Sequence, residues 1–131
     1  MRLITDEQRA TLRAHADQPD GDPFPVVKFY NPAGPATWVV AELAADGDTL
    51  FGLADLGFGC PELGYFPLGE LERLRLPFGL RIERDRAFRT AFPLSVWTDE
   101  ARRFGSLMTA EAELAKRSRD TSPASKLPPR S

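Results

Sequence analysis

Four carboxylates, Asp55, Glu62, Glu83 and Asp85, are the residues of this 131-residue chain best suited by type and placement to do chemistry. They fall at strand ends and in a glycine-rich loop. Clustered carboxylate oxygens are what Mg²⁺ or Ca²⁺ binds, and two such groups in unlike environments can share acid and base roles. Glu83 and Asp85 also lie among Arg81, Arg84, Arg86 and Arg89, which can neutralise them as ion pairs. The same four arginines, interleaved with Phe88 and Phe92, equally suit contacts to nucleic-acid phosphates. Groups for nucleophilic catalysis are scarce. The single histidine, His15, reads as a solvated residue of an N-terminal helix, whereas Ser–His–Asp chemistry needs a positioned imidazole. Cys60 has no candidate histidine base and reads as a half-buried loop thiol. There is no phosphate loop, no His-Glu-x-x-His and no GxGxxG after a strand, and Gly57-Phe58-Gly59 is too short to count.

The elements that must hold these residues follow from pattern. Thr5-Asp6-Glu7-Gln8 has the form of a capping box and opens a helix from about Asp6 to Ala16, with Ala10 and Leu12 its best apolar positions. Phe24–Tyr30 alternates as a strand, with Val27 and Phe29 on one face and Lys28 and Tyr30 on the other. Thr37–Leu43 and Thr49–Leu56 are two more strands joined through Asp46-Gly47, a strong hairpin signal. With those two residues as the turn, Glu42 faces Phe51, Val40 faces Leu53 and Trp38 faces Asp55. One face then carries Trp38, Val40, Glu42, Phe51, Leu53 and Asp55. This mixed face is expected to be partly exposed or to line a cleft. The other, small and apolar throughout, is expected to pack on a helix.

After the loop Leu56–Gly64, Tyr65–Phe66 can add a short strand. Leu68–Leu76 reads as a short helix stopped by Pro77, and Gly79–Asp85 as a fourth strand. A helix from Leu94 to about Phe104 and a second over Thr109–Ser118 complete the pattern. The expectation is an α+β fold: a mainly antiparallel sheet of four to five strands, an N-terminal helix, a short helix after the glycine-rich loop and C-terminal helices. Residues 1–105 form one domain, 106–118 a peripheral helix and 119–131 a disordered tail.

Composition narrows the class further. Residues 1–101 carry 10 basic and 16 acidic side chains and residues 102–131 carry 7 and 3, for a net charge of −2. An acidic body repels the phosphate backbone, yet it suits occupation of a basic channel in another protein. The single cysteine excludes an intrachain disulfide and a Cys-rich zinc site. No apolar run reaches the ~20 residues of a membrane span, and Asp6 and Glu7 stand where a signal peptide needs an apolar stretch. A cytoplasmic protein with no membrane association is expected.

Several segments together resemble a bacterial domain-of-unknown-function family, the one numbered twenty-nine fifty-eight. They are Leu3-Ile4-Thr5 with Glu7-Gln8-Arg9, Pro25-Val26-Val27-Lys28-Phe29 with Thr37-Trp38, Phe51–Gly57 with Pro61-Glu62-Leu63-Gly64-Tyr65, and Ile82-Glu83-Arg84-Asp85 with Phe88. The resemblance covers roughly residues 2–92, and its most specific parts are Pro-Glu-Leu-Gly-Tyr and Ile-Glu-Arg-Asp. It supplies no catalytic residue and no cofactor. Similar proteins are typical of plasmids, conjugative elements and phages. The resemblance therefore implies a non-enzymatic accessory or binding protein of a mobile genetic element, for example an inhibitor of a host restriction or CRISPR system. Its partner would be a host or element-encoded protein. A site shared with the family would use Lys28, Trp38, Asp55, Glu62, Tyr65, Glu83 and Asp85. The alternatives are a metal-dependent enzyme acting on nucleic acid or nucleotide through the carboxylates, and a nucleic-acid-binding module using Arg81, Arg84, Arg86 and Arg89.

Overall fold

A computed structural model describes residues 2–18 and 20–120. Helix α1 (Asp6–Ala16) is followed by β1 (Val27–Tyr30), β2 (Thr37–Leu43), β3 (Thr49–Asp55), β4 (Glu62–Pro67), α2 (Leu68–Arg73), a single 3₁₀ turn at Pro77–Gly79, β5 (Glu83–Arg84), α3 (Leu94–Phe104) and α4 (Leu107–Asp120). The five strands form one antiparallel sheet in the order β4-β3-β2-β1-β5. The fold is α+β. The expected fourth strand over Gly79–Asp85 shrinks to two residues. Pro77, Phe78 and Gly79 turn the chain, and only Glu83 and Arg84 pair with β1.

Helices cover both faces of the sheet. One apolar cluster joins Leu12 of α1 and Leu68 and Leu71 of α2 to Phe29, Trp38, Val40, Leu43 and Leu50. The other joins Leu94, Trp97 and Ala101 of α3 and Leu107, Ala110 and Leu114 of α4 to Val39, Ala41 and Leu53. With helices on both of its faces, β2 is buried almost from end to end.

The β2–β3 register differs from the expected one, and the reason is a β-bulge. Near the turn the pairing is as the Asp-Gly signal implies, with Glu42 opposite Phe51 and Leu43 opposite Leu50. Between Val40 and Glu42 the register shifts by one residue, so Trp38 lies opposite Ala54 and Asp55 opposite Thr37. A one-residue slip exchanges the faces of everything beyond it. Trp38 consequently packs with α1 and α2, whereas Asp55 reaches α4 on the other side. The expected half-open face uniting Trp38 and Asp55 does not exist. The bulge crowds β3: a Cβ on Gly52 would stand 2.1 Å from the Val39 carbonyl oxygen and 2.9 Å from Val40 Cα. Glycine is required there because backbone approaches backbone.

Helix α1 is capped as its sequence indicates. Thr5 Oγ1 accepts from the Gln8 N–H at 3.0 Å and Gln8 Oε1 accepts from the Thr5 N–H at 2.9 Å. Its thin apolar stripe buries only Leu12, and Ala10 is exposed. Polar arms do the rest. Arg9 donates to the Gly47 carbonyl and Arg13 to the Leu43 carbonyl, both at 2.9 Å, and His15 Nδ1 lies 2.9 Å from the Ala41 carbonyl oxygen. His15 is therefore half-buried and tied to the bulge, not solvated.

The β2–β3 turn is a folded loop in its own right. Asp46 accepts from the N–H groups of Asp48 and Thr49, both at 2.8 Å, and from the Thr49 hydroxyl at 2.6 Å. Those donors favour the carboxylate and lower its pKa from 3.8 to about 2. A carboxylate held this low contributes stability at pH above its unfolded value, and that contribution is lost as pH falls toward about 2. An NMR titration is expected to place the Asp46 midpoint near the bottom of the carboxylates, and Thr49→Ala is expected to raise it.

Candidate functional site

The sequence-selected residues separate into four places. Asp55 is a structural anchor. It is buried, with 7 % of its surface exposed. Its Oδ1 accepts from the Gly57 N–H and its Oδ2 from the Leu107 N–H, both at 2.8 Å. Leu107 is the first residue of α4, so Asp55 satisfies a free amide at that helix N-terminus and meets its positive dipole end. Trp38 is likewise part of the core.

Lys28, Glu83 and Asp85 do come together, on the face covered by α3 and α4. Alternation along β1 directs Lys28 and Tyr30 to this side, β5 adds Glu83, and Asp85 follows it, its N–H donating to the Lys28 carbonyl at 2.9 Å. Lys28 Nζ lies 2.6 Å from Glu111 Oε1 and 3.6 Å from Asp85 Oδ2. The Tyr30 hydroxyl donates to Glu83 Oε1 at 2.8 Å, and this acceptor raises the Tyr30 pKa. Asp85 also accepts from the Ala87 N–H at 2.9 Å. Each carboxylate thus has its own donor. Glu111 is the residue that sequence reasoning missed, since nothing in the spacing of α4 marks it as facing Lys28. It borders both an open cavity of about 700 Å³, lined also by Tyr30, Thr37 and Met108, and one of about 290 Å³ lined also by Phe88, Thr90 and Trp97.

The arginines divide. Arg81 and Arg84 donate to the main-chain carbonyls of Glu72 (2.9 Å) and Leu3 (3.0 Å). With exposed Arg86 they line a cavity of about 330 Å³ at the β5 edge. Arg89 stands apart, on the 290 Å³ cavity.

Glu62 and Tyr65 lie at the opposite edge of the sheet, on β4. Glu62 is exposed and borders a shallow cavity of about 420 Å³ with Cys60, Leu63 and Arg102. Cys60 is exposed, not half-buried. Tyr65 is 74 % exposed and leans on Phe51, ring centroids 4.9 Å apart. The adjoining loop holds Phe58 in solvent, 82 % exposed, and the loop backbone reaches α3, where the Gly59 carbonyl oxygen would lie 3.1 Å from a Cβ on Gly105. Phe104, at the end of α3, is 39 % exposed. Phe58 and Phe104 carry no pattern in the sequence that marks them as surface residues.

Asp55, Glu62, Glu83 and Asp85 therefore do not converge. Among the described residues, no three His, Cys, Asp or Glu side chains are placed to hold one metal ion. No helix among them is long and apolar enough to cross a membrane. No curated protein and no solved structure shows significant similarity to the chain. A family model, that of a protein of unknown function, DUF2958, matches residues 3–108, which takes in the whole sheet, α3 and both edge surfaces, and the chain belongs to that family.

Proposed function

We propose that this protein is a non-enzymatic binding protein that engages a protein partner through its β4 edge. The observation that carries this reading is the pair of solvent-held rings, Phe58 and Tyr65, beside an edge strand. Edge strands present unpaired N–H and C=O groups, and proteins normally blunt them. Here the edge carries a large aromatic residue and Leu63, 36 % exposed, with Glu62 and Arg102 as a polar rim. Aromatic anchors with a polar rim are the anatomy of a protein interface. The partner class is a host or element-encoded protein, and the setting implied by the family resemblance is a mobile genetic element acting against a host defence system.

Plaque and transformation assays in a host with intact restriction and CRISPR systems test this role. The protein is expected to raise survival of incoming DNA, and absence of both protection and any bound protein would count against it. The metal-dependent alternative makes a separate prediction. If the carboxylates are satisfied singly as their contacts indicate, Mg²⁺, Mn²⁺ and Ca²⁺ leave the melting temperature unchanged. A rise that Glu83→Ala abolishes would revive the enzyme reading.

A further inference from the structure

The loop before β5 lies at the other end of the sheet from the surface just described and carries a different signal. Phe78 is 96 % exposed, and its backbone is left-handed, with φ 62° and ψ 24°. It is the one non-glycine residue with positive φ among the described residues. That conformation is unfavourable for a side chain with a Cβ, and the ring recovers nothing by packing. Beside it, Arg81, Arg84 and Arg86 line the cavity at the β5 edge.

We propose that this loop and these arginines bind single-stranded nucleic acid, with Phe78 stacking on an unpaired base and the guanidinium groups holding phosphates. The arginines are available for this. Arg81 and Arg84 are each fixed by one N–H to a main-chain carbonyl, which orients the guanidinium, and among the described residues neither forms an ion pair. Among the described residues Arg86 makes no ion pair. Of the neighbouring acids, Asp85 pairs with Lys28, Glu72 accepts from the Leu3 N–H, and Glu83, which borders the cavity, accepts from Tyr30 and keeps its charge, so three arginines face one carboxylate there. Along residues 73–81 there are three arginines and no acid. A positive groove beside a protruding ring is how strands are bound without sequence preference, because every base has a face to stack. The polyglutamate arm of the test below separates a strand from an acidic protein on the same arginines. This surface is independent of the proposed β4 interface.

The test is fluorescence anisotropy with labelled oligothymidylate of about 12 nucleotides, within the usual site size for such folds. Binding is expected at low salt and is expected to weaken steeply as salt rises. Arg86→Glu is expected to weaken it about tenfold and to reduce the salt slope by about one. Phe78→Gly is the decisive variant: it relieves the left-handed strain, so the melting temperature should hold or rise while strand affinity falls several-fold. Overturning results are no binding at low salt, affinity unmoved by both variants, equal binding of duplex or polyglutamate, or binding accounted for by inorganic phosphate alone.

Discussion

Gly52→Ala is expected to destabilise the protein by at least ~3 kcal/mol, the upper range for overpacking a rigid interior. The added methyl would enter the Val39 carbonyl oxygen, and both obstructing atoms are backbone of the central strand. Neither can swing aside as a side-chain tip would. Gly64, paired with Gly52 across the ladder, is the control, because a Cβ there meets nothing within 4 Å. Gly64→Ala should leave stability within about 1 kcal/mol of wild type. Urea unfolding of both variants checks the contrast. Equal midpoints would mean that the bulge in β2 is absent, and with it the placement of Trp38 and Asp55 on opposite faces.

Asp55→Ala is the second large effect. It strips acceptors from the Leu107 and Gly57 N–H groups, the first of them buried. A buried donor left without a partner costs about 1–3 kcal/mol, and loss of the charge at the α4 N-terminus adds to that. A total near 3 kcal/mol is expected by chemical denaturation. Asp55→Asn should restore about half, since one amide oxygen can still accept. If Asp55 instead served catalysis, its removal would raise stability, as relief of a functional constraint does.

Much of the architecture is legible from local chemistry. The Thr5–Gln8 capping box starts α1, and α3 spans Leu94–Phe104 between Pro93 and a left-handed Gly105. Alternation in β1 correctly assigns Val27 and Phe29 to one face and Lys28 and Tyr30 to the other. The bulge is less legible, since Thr37-Trp-Val-Val-Ala-Glu-Leu alternates plausibly in either register. The clue was Gly52, a glycine inside a strand, which signals a bulge or close approach. Without the bulge, strict alternation pairs Trp38 with Asp55 and makes a core strand look half open. The arginines are legible as a basic run but not in their bonding, because Arg81 folds back across the Pro77–Gly79 turn to the Glu72 carbonyl and Arg84 reaches Leu3 at the far end of the chain. The exposure of Phe58 and Phe78 depends on loop conformation, which hydrophobic periodicity does not encode.

The most direct test of the β4 edge as the working surface is affinity co-purification from a defence-intact host, comparing wild type with Phe58→Ser/Tyr65→Ser. Both rings are largely solvent-exposed and only Tyr65 has a ring contact, to Phe51 at the surface, so the double variant should melt close to the wild type. Wild type is expected to retain a defined protein and to protect incoming DNA, and the folded double variant to lose both. Retention of the same protein with undiminished protection by that variant would contradict that role of the β4 edge.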